Sequence, residues 1–295
     1  MNGITSVRDN NPLPILVIGR NRPTHLKNIL ESLTKLESEL IYIFLDGPIV
    51  ERASSAKISN NSNLFLTQKI ARDFQKNNLS RLIISPINLG CYVGVTSAIN
   101  WFFSHVESGL IFEDDLDFHP DIIQVAKKAL IEFKDNEDIM SISFYREYGF
   151  NSNKAFIKTT FPSSWGWATW KGKWSKFDHD SHKKIASKPF ELFKRGGIRG
   201  FRRWIDVINR LKRNELDSWA YRWMFTLWLE KKYSIVPPFN MIQNRGFDEL
   251  ATHTKKGISA KYDVNEKIRD IHWRQPICLD KNYERLVLSR RFGVT

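Results

Sequence analysis

The segment Leu110-Ile-Phe-Glu-Asp-Asp-Leu-Asp-Phe-His-Pro120 places consecutive acidic residues directly after a short apolar run. The acids are Glu113, Asp114, Asp115 and Asp117. Neighbouring carboxylates repel one another and raise each other's pKa unless a cation lies among them. Open α/β sheets bind ligands at the carboxyl ends of their strands, so the segment predicts a strand that carries a divalent metal and a phosphate. An acidic loop before a helix that begins at Pro120 is the alternative, and the segment by itself leaves both open.

The first half of the chain alternates between short apolar runs and amphipathic stretches. Predicted strands cover 13–18, 41–45, 82–85, 110–112 and 139–144, and predicted helices cover 26–36, 64–74, 92–105 and 120–133. Strands separated by helices predict an α/β fold with a largely parallel sheet and helices on both faces. The carboxyl ends of such strands meet at one edge of the sheet. We therefore expect Arg20, Arg22, Asp46, Asn88 and the acidic segment to converge there.

The second half of the chain is richer in aromatic residues and breaks this rhythm. Eight of the ten tryptophans lie between Trp165 and Trp228. The stretch 161–170 is too interrupted for a clean strand and too aromatic for an ordinary loop. Helices are predicted over 201–212 and 217–230, and a strand over 233–236, where two prolines stop it. We expect one continuous domain with an α/β half at 1–160 and an aromatic-rich half at 161–295.

Length and cysteine content narrow the class of protein. The 295 residues can form one large domain or two small ones. Cys91 and Cys278 are far apart, which implies no disulfide framework and no cysteine-based zinc site, and fits a reducing compartment. No apolar run reaches the roughly 18 residues of a membrane span, and residues 1–11 lack the apolar core of a signal peptide. These features predict a soluble, cytoplasmic protein.

The positive charge is concentrated in one part of the chain. Residues 171–213 contain 14 Lys and Arg against 4 Asp and Glu, a net charge of +10 out of the chain's +13. A local basic surface suggests an anionic partner: a phosphorylated substrate, an anionic lipid surface or a nucleic acid. A solvated helical face without a partner is the alternative.

Two common ways of holding a nucleotide are absent from the sequence. No G-x-G-x-x-G follows the first strand, which argues against a dinucleotide fold, and no G-x-x-x-x-G-K-[ST] loop is present, which argues against a P-loop enzyme. A pyrophosphate would therefore need another source of positive charge. A metal held by the acidic segment supplies it, and Arg20 or Arg22 could add charge-assisted hydrogen bonds.

Four segments together resemble the N-acetylglucosaminyltransferase I family and its relatives. They are residues 14–24, residues 111–121, Phe161-Pro with Gly166-Trp167, and Leu216-Asp-Ser-Trp219. The segments follow one another in the same order as in that family, and the resemblance extends from about residue 13 to residue 253. The segment Trp165-Gly-Trp-Ala-Thr-Trp170 also resembles bacterial glycosyltransferases of surface-polysaccharide clusters. The resemblance implies a GT-A (Rossmann-like) fold with a mixed, mainly parallel sheet. It further implies an inverting, metal-dependent glycosyltransferase that moves a hexosyl or N-acetylhexosaminyl group from a nucleotide sugar.

The resemblance also implies roles for individual residues. Asp115 would bind a Mn²⁺ or Mg²⁺ that bridges both phosphates, and Asp217 would be the general base. Arg22 and Asp46 would contact the uridine, Glu113 a sugar hydroxyl, and Asp114 the ribose. The base segment reads Leu-Asp-Ser-Trp where the family has Trp-Asp-Asp-Trp, and the stretch around Trp165 has an extra tryptophan, so the sugar does not transfer.

Several of these residues have a simpler interpretation that the sequence leaves open. Asp217 precedes a predicted helix, where aspartate is a favoured cap. Trp165 and Trp167 could stack on a sugar ring or belong to the core. His253 lies in the polar segment 245–257, which could close over the donor as a lid, with His253 or Lys256 reaching the pyrophosphate, or be a plain surface loop.

Other functions compete with glycosyl transfer. A sugar-1-phosphate nucleotidyltransferase shares a nucleotide-binding sheet but normally begins with a glycine-rich, lysine-bearing loop. An RNA-binding protein would suit a pI near 9.7 but lacks a recognised module, and an inactive glycan-binding relative would not need the full acid set. We expect a nucleotide-sugar donor, a glycan or lipid-linked acceptor, peripheral contact with an anionic membrane surface, and no nucleic acid partner.

Overall fold

The computed structural model describes residues 12–35, 40–49, 61–147, 154–246, 261–262, 264–273 and 277–294. The strands are β1 Ile15–Gly19, β2 Ile41–Leu45, β3 Ser80–Ile84, β4 Ser108–Glu113, β5 Leu116–Phe118, β6 Ile139–Ser143, β7 Ile157–Thr159, β8 Trp167–Trp170, β9 Tyr233–Val236 and β10 Ile242–Asn244. The helices are α1 Pro23–Thr34, α2 Asn61–Asn77, α3 Gly90–Phe103, α4 Ile122–Glu132, α5 Lys171–Trp174, α6 Ser181–Ala186, α7 Pro189–Phe193, α8 Gly197–Lys212, α9 Trp219–Leu229 and α10 Lys281–Phe292.

The main sheet has eight strands in the order β3-β2-β1-β4-β8-β6-β9-β7. The first four strands in this order are parallel, β8 is antiparallel to both of its neighbours, and β9 is parallel to β6. The predicted α/β class is confirmed, with a mixed and mainly parallel sheet. Strands β5 and β10 form a separate antiparallel pair.

Helices cover both faces of the sheet because side chains alternate along each buried strand. On β1, Ile15 and Val17 face a core built with α1 and α4. Leu16 and Ile18 face the opposite core, which α3, α8 and α9 complete. The periodicity of the first half therefore predicted its elements within a few residues.

Strand β8 corrects the expectation for 161–170. Trp167 to Trp170 is an interior strand: Ala168 pairs with Leu110 of β4 and with Ile142 of β6, and all four of its residues are buried. A strand buried on both faces does not alternate between polar and apolar residues, which is why its pattern did not read as a strand. Gly166 before it has φ near +60°, a conformation that glycine tolerates best.

The two halves of the chain share this sheet. Strands β8 and β9 both come from the second half and lie beside β4 and β6 of the first. The predicted helices over 201–212 and 217–230 begin at Gly197 and Trp219 instead. Strands β5, β7 and β10 and helix α10 were not predicted. No helix within the described ranges is long and apolar enough to cross a membrane.

Candidate functional site

The acidic segment lies beside the end of β1, as the strand order predicted. The backbone N–H of Asp114 donates to the carbonyl of Ile18 at 2.9 Å, and its carboxylate accepts from the N–H of Arg20 at 3.4 Å. Arg22 Nη1 contacts Asp115 Oδ2 at 2.5 Å in a mostly buried ion pair. The convergence of Arg20, Arg22 and the acids at one sheet edge is confirmed.

The two carboxylate oxygens of Asp115 have different surroundings. Oδ2 is bound by Arg22, whereas Oδ1 is buried and accepts no hydrogen bond from any residue that the structure describes. The chain after β10 packs against Asp115, since Arg245 N–H donates to the Asp115 backbone carbonyl at 2.8 Å. A Cβ at Gly246 would overlap Asp115 Oδ2, so only glycine fits this approach. A buried acceptor without a donor is costly and points to an absent ligand.

The surroundings of this oxygen fit a hard divalent cation. Within the described residues, no group of three or more His, Cys, Asp and Glu is arranged to cage a metal. Mg²⁺ is commonly held by one or two carboxylates, with substrate phosphates completing its shell. Asp115 Oδ1 therefore fits an ion that arrives with a phosphorylated ligand, and does not fit a metal cage made by the protein alone.

Burial and mutual repulsion perturb the neighbouring acids. Desolvation, then the charges of Asp115 and Asp114, raise the pKa of Glu113 to about 8. Desolvation and the charge of Asp115 likewise raise the pKa of Asp114 to about 7. The positive charge of Arg22 opposes both pKa shifts but does not cancel them. The single arginine therefore does not neutralise the repulsion among the three carboxylates. Added positive charge is electrostatically favoured here.

Asp46 is bound on both oxygens by the loop that precedes α3. Its Oδ1 accepts from the N–H groups of Gly47 and Leu89, both at 2.8 Å. Its Oδ2 accepts from Asn88 Nδ2 at 2.8 Å and from Gly90 N–H at 3.2 Å. These bonds explain why Asp46 and Asn88 meet at the end of β2 and β3. The uridine contact of Asp46 stays a prediction, and its observed role is to fix this loop.

Asp217 caps a helix, but not the one that the sequence suggested. Its exposed carboxylate accepts from the N–H groups of Cys91 at 2.7 Å and Tyr92 at 3.1 Å, in the first turn of α3. The following helix, α9, is capped by Ser218, whose hydroxyl accepts from Tyr221 N–H at 3.4 Å. The alternative interpretation, in which Asp217 caps its own helix, is therefore excluded. The N-terminus of α3 instead draws in a carboxylate from 125 positions away.

The first turn of α3 brings two of the candidate carboxylates into one neighbourhood. Burial raises the pKa of the Cys91 thiol, and the charges of Glu113, Asp217 and Asp46 raise it further. Asp46 accepts from the Gly90 N–H, and Asp217 accepts from the next two N–H groups along the chain. These two carboxylates therefore lie at the same helix end.

Three polar residues beside Asp217 were not predicted from the sequence. The Tyr92 hydroxyl contacts His179 Nδ1 at 2.5 Å, and the guanidinium of Arg222 lies 4.0 Å from the Tyr92 ring centroid. Arg222 also donates to the Ser218 carbonyl at 2.7 Å. Tyr92 and His179 are 87 positions apart, so no local pattern could have paired them.

The two candidate tryptophans have different surroundings. Trp167 is 1% exposed and stacks on Trp219, with ring centroids 5.4 Å apart. No face of its ring is open to a donor, and we assign it to the core. Trp165 is half-buried and meets Tyr145 edge-to-face at 4.8 Å. Its contact with a sugar stays a prediction.

The predicted lid falls mostly outside the described residues, and so do His253 and Lys256. Its first residue, Arg245, donates from Nε to Asp117 at 2.6 Å. Asp117 therefore anchors the chain after β10 and does not cap α4, whose N-cap residue is Asp121.

No protein-family model and no curated protein matches the chain. A mannose-1-phosphate geranyltransferase from Thermus thermophilus is 11% identical with a TM-score of 0.35, covering 78% of this chain and 75% of that one. A UDP-glucose pyrophosphorylase complexed with UDP-glucose is 9% identical with a TM-score of 0.37, covering 79% and 92%. The glycosyltransferase GlyE of Streptococcus pneumoniae is 10% identical with a TM-score of 0.30, covering 82% and 57%. At these TM-scores and identities the likenesses assign no activity.

Proposed function

We propose that the chain is a metal-dependent, inverting glycosyltransferase that uses a nucleotide sugar, specifically a UDP-sugar, and a hydroxyl of a glycan or lipid-linked glycan. The observation that carries the proposal is the buried Asp115 Oδ1 at the sheet edge, which accepts no hydrogen bond from any residue that the structure describes. Asp217, which a distant segment supplies, is exposed at the first turn of α3, where Asp46 is also bound. The carboxylate of Asp115 could bind a metal that carries the diphosphate, and the carboxylate of Asp217 could accept a proton.

The donor would bind across the ends of β1 and β4. Asp115 would hold Mn²⁺ or Mg²⁺, which when bound acts as a Lewis acid that neutralises the departing nucleoside diphosphate. Arg22 would donate charge-assisted hydrogen bonds to phosphate oxygens. Glu113 and Asp114 would contact a sugar hydroxyl and the ribose, as the family resemblance implies.

The acceptor would bind on the side of α3 where Asp217 is exposed. Asp217 would take the proton of the acceptor hydroxyl. At the same time the hydroxyl oxygen of the acceptor would form a bond to the anomeric carbon, and the bond between that carbon and the diphosphate would break. A single displacement of this kind inverts the anomeric centre. Tyr92 and His179 would line the acceptor side of this site.

A sugar-1-phosphate nucleotidyltransferase is the alternative. It would use the same acid-lined sheet edge, but its nucleophile is a phosphate oxygen that is already ionised at neutral pH and needs no general base. The loop after β1 offers Arg20 and Arg22 without the glycine-rich, lysine-bearing sequence of that class. Both the loop and the presence of Asp217 favour glycosyl transfer.

A thermal-shift panel of nucleotide sugars, with and without Mn²⁺, tests the proposal. A ligand that binds only the folded state raises the melting temperature. We expect one donor to do so only with the metal, Asp115→Asn to abolish the shift, and the matched control Asp117→Asn to retain it. Release of nucleoside diphosphate upon acceptor addition would support glycosyl transfer, whereas pyrophosphate release from a sugar phosphate and a nucleoside triphosphate would support the alternative. If no donor shows a metal-dependent shift, the proposal fails.

A further inference from the structure

We propose that the corner formed by α7 and the start of α8 is a docking surface for an anionic membrane. This basic-aromatic corner comprises residues 188–203, in the sequence Lys188-Pro-Phe-Glu-Leu-Phe-Lys-Arg-Gly-Gly-Ile-Arg-Gly-Phe-Arg-Arg203. It belongs to the basic stretch of the second half, whose partner the sequence left open.

Three large apolar side chains project from the corner into solvent. Phe190, Phe193 and Ile198 are 67%, 48% and 56% exposed, and they lie within nine positions on two helices in contact. Single exposed apolar residues are ordinary, but a group of them marks an interaction site. Beside Phe190 is a cavity of about 310 Å³, walled by Trp228 and Leu229. The corner thus offers apolar surface that gains from transfer into an acyl layer.

Positive charge surrounds this apolar group. The corner contains six Lys and Arg against one acidic residue, Glu191, which pairs with Lys194 at 3.0 Å and Arg195 at 3.1 Å. Lys188 and Arg202 are exposed at its two ends. Lysine and arginine around inserted apolar side chains are the pattern of interfacial membrane binding, because anionic headgroups attract the basic residues.

The combination favours a membrane over a nucleic acid. Phenylalanine rings can stack on bases, but Ile198 has no ring and gains little from a nucleotide. In a membrane all three apolar side chains leave water together, while the basic side chains remain at the headgroups. The chemistry of the corner therefore commits it to an anionic lipid surface.

The corner is held in a fixed shape. Gly196 and Gly197 make the turn between α7 and α8 with φ of +105° and +61°, where glycine is favoured. A Cβ at Gly200 would overlap the Arg195 carbonyl, which also accepts from Trp204 Nε1 at 2.8 Å. The apolar side chains are thus presented on a defined platform, and little order has to be gained on binding.

Helix α9 connects this corner to the candidate site. Asp217 lies two residues before its first turn, and Trp228 and Leu229 at its other end wall the cavity beside Phe190. Eleven helical residues at about 1.5 Å each span roughly 16 Å. A lipid-linked acceptor would therefore have its sugars near Asp217 while its lipid stays in the bilayer. This relation to the acceptor rests on the proposed function, whereas the membrane contact does not.

Vesicle sedimentation of the full chain tests the surface, with phosphatidylcholine vesicles that contain or lack phosphatidylglycerol. We expect binding only to the anionic vesicles, and weakening with added salt because exposed charges are screened. The double variant Phe190→Ser/Phe193→Ser should weaken partition by about tenfold or more, since it removes two apolar side chains from the interface. The control Phe65→Ser removes an equally exposed ring, 70% exposed on α2, and should bind like the unaltered chain.

A second pair of variants separates charge from apolar insertion. Lys188→Glu/Arg202→Glu should abolish binding to anionic vesicles, whereas Arg72→Glu/Lys76→Glu on α2 makes the same charge change elsewhere and should reduce it far less. Equal binding to neutral and anionic vesicles, or equal loss in corner and control variants, would overturn the proposal. The proposal would also be overturned if the unaltered chain did not sediment with any vesicles and the corner variants instead abolished self-association or RNA binding. Donor-dependent thermal shifts measured without vesicles report the proposed function separately.

Discussion

At the scale of single residues, the site depends on how two carboxylates are bound. Asp115 is held on one oxygen by Arg22, and its other oxygen is buried and accepts no hydrogen bond from the described residues. Asp217 accepts two backbone N–H groups at the N-terminus of α3. Its carboxylate is therefore the cap of α3 as well as the proposed general base. Removing the side chain affects both stability and chemistry, and variants have to separate them.

Asp217→Asn should lose the base and keep one of the two capping bonds, because the amide oxygen still accepts one N–H, whereas the amide nitrogen accepts neither an N–H nor a proton. We expect metal-dependent donor shifts to persist and transfer to fall by about 100-fold or more. Asp217→Ala should in addition lower the free energy of unfolding by about 1 kcal/mol through loss of the cap. Ser218→Ala removes the cap of α9 and is the control, with a similar loss of stability and transfer largely kept. Unchanged turnover in Asp217→Asn would exclude it as the base.

The raised pKa values of Glu113 and Asp114 predict a pH dependence of stability. Both groups bind protons more tightly in the folded state than in the unfolded chain. Their ionisation therefore costs stability as the pH rises from about 4, near their ordinary pKa values, to about 8. Without divalent cation, Asp114→Asn should gain stability relative to the unaltered chain across this interval.

Denaturant unfolding at several pH values measures this difference. Asp73→Asn, an exposed change on α2, is the control and should follow the unaltered chain at every pH. Mn²⁺ with a nucleoside diphosphate should reduce the difference at the upper end of the interval, because the cation offsets the repulsion that adds to the effect of burial. Parallel curves for Asp114→Asn and the unaltered chain would contradict the interpretation of the cluster.

At the scale of elements, the sequence predicted long periodic segments and missed short buried ones. Helix α1 has its buried residues spaced for one face, and β2 was predicted with its observed bounds. Strand β8 has four residues, all buried, and its sequence shows neither the helical period of 3.6 residues nor the strand period of two. Strands β5, β7 and β10 have three residues each, too few for a pattern. Their pairing is decided by partners distant in the sequence.

The capping of α3 is also decided between elements. The sequence placed Asp217 before a helix and correctly predicted that a helix follows. Ser218 takes the cap of α9, which leaves Asp217 free to cross to α3. Sequence proximity favoured the local partner, whereas the packing of α9 beside α3 supplied a better one.

At the scale of the whole molecule, the sheet makes the two halves dependent on each other. A chain limited to residues 1–160 lacks β8, which fills the space between β4 and β6. The facing edges of those strands would lose their hydrogen-bond partners and part of the aromatic core. We expect this fragment to bind a hydrophobic dye and to show no cooperative thermal transition by circular dichroism. Co-expression with 161–295 is the matched comparison and should restore cooperativity; a cooperative transition of the fragment alone would show that the first half folds independently.

The sequence by itself determined the α/β class, the helices and strands of the first half, and the clustering of acids at the end of β4. These follow from local periodicity and from residues adjacent in the chain, which a sequence displays directly. Only the tertiary structure decided that β8 is interior, that Trp167 belongs to the core, that Asp217 caps α3, and that Phe190, Phe193 and Ile198 share one exposed corner. Each of these depends on which distant segments meet when apolar surfaces are buried and backbone groups find partners, and no local pattern records such a meeting.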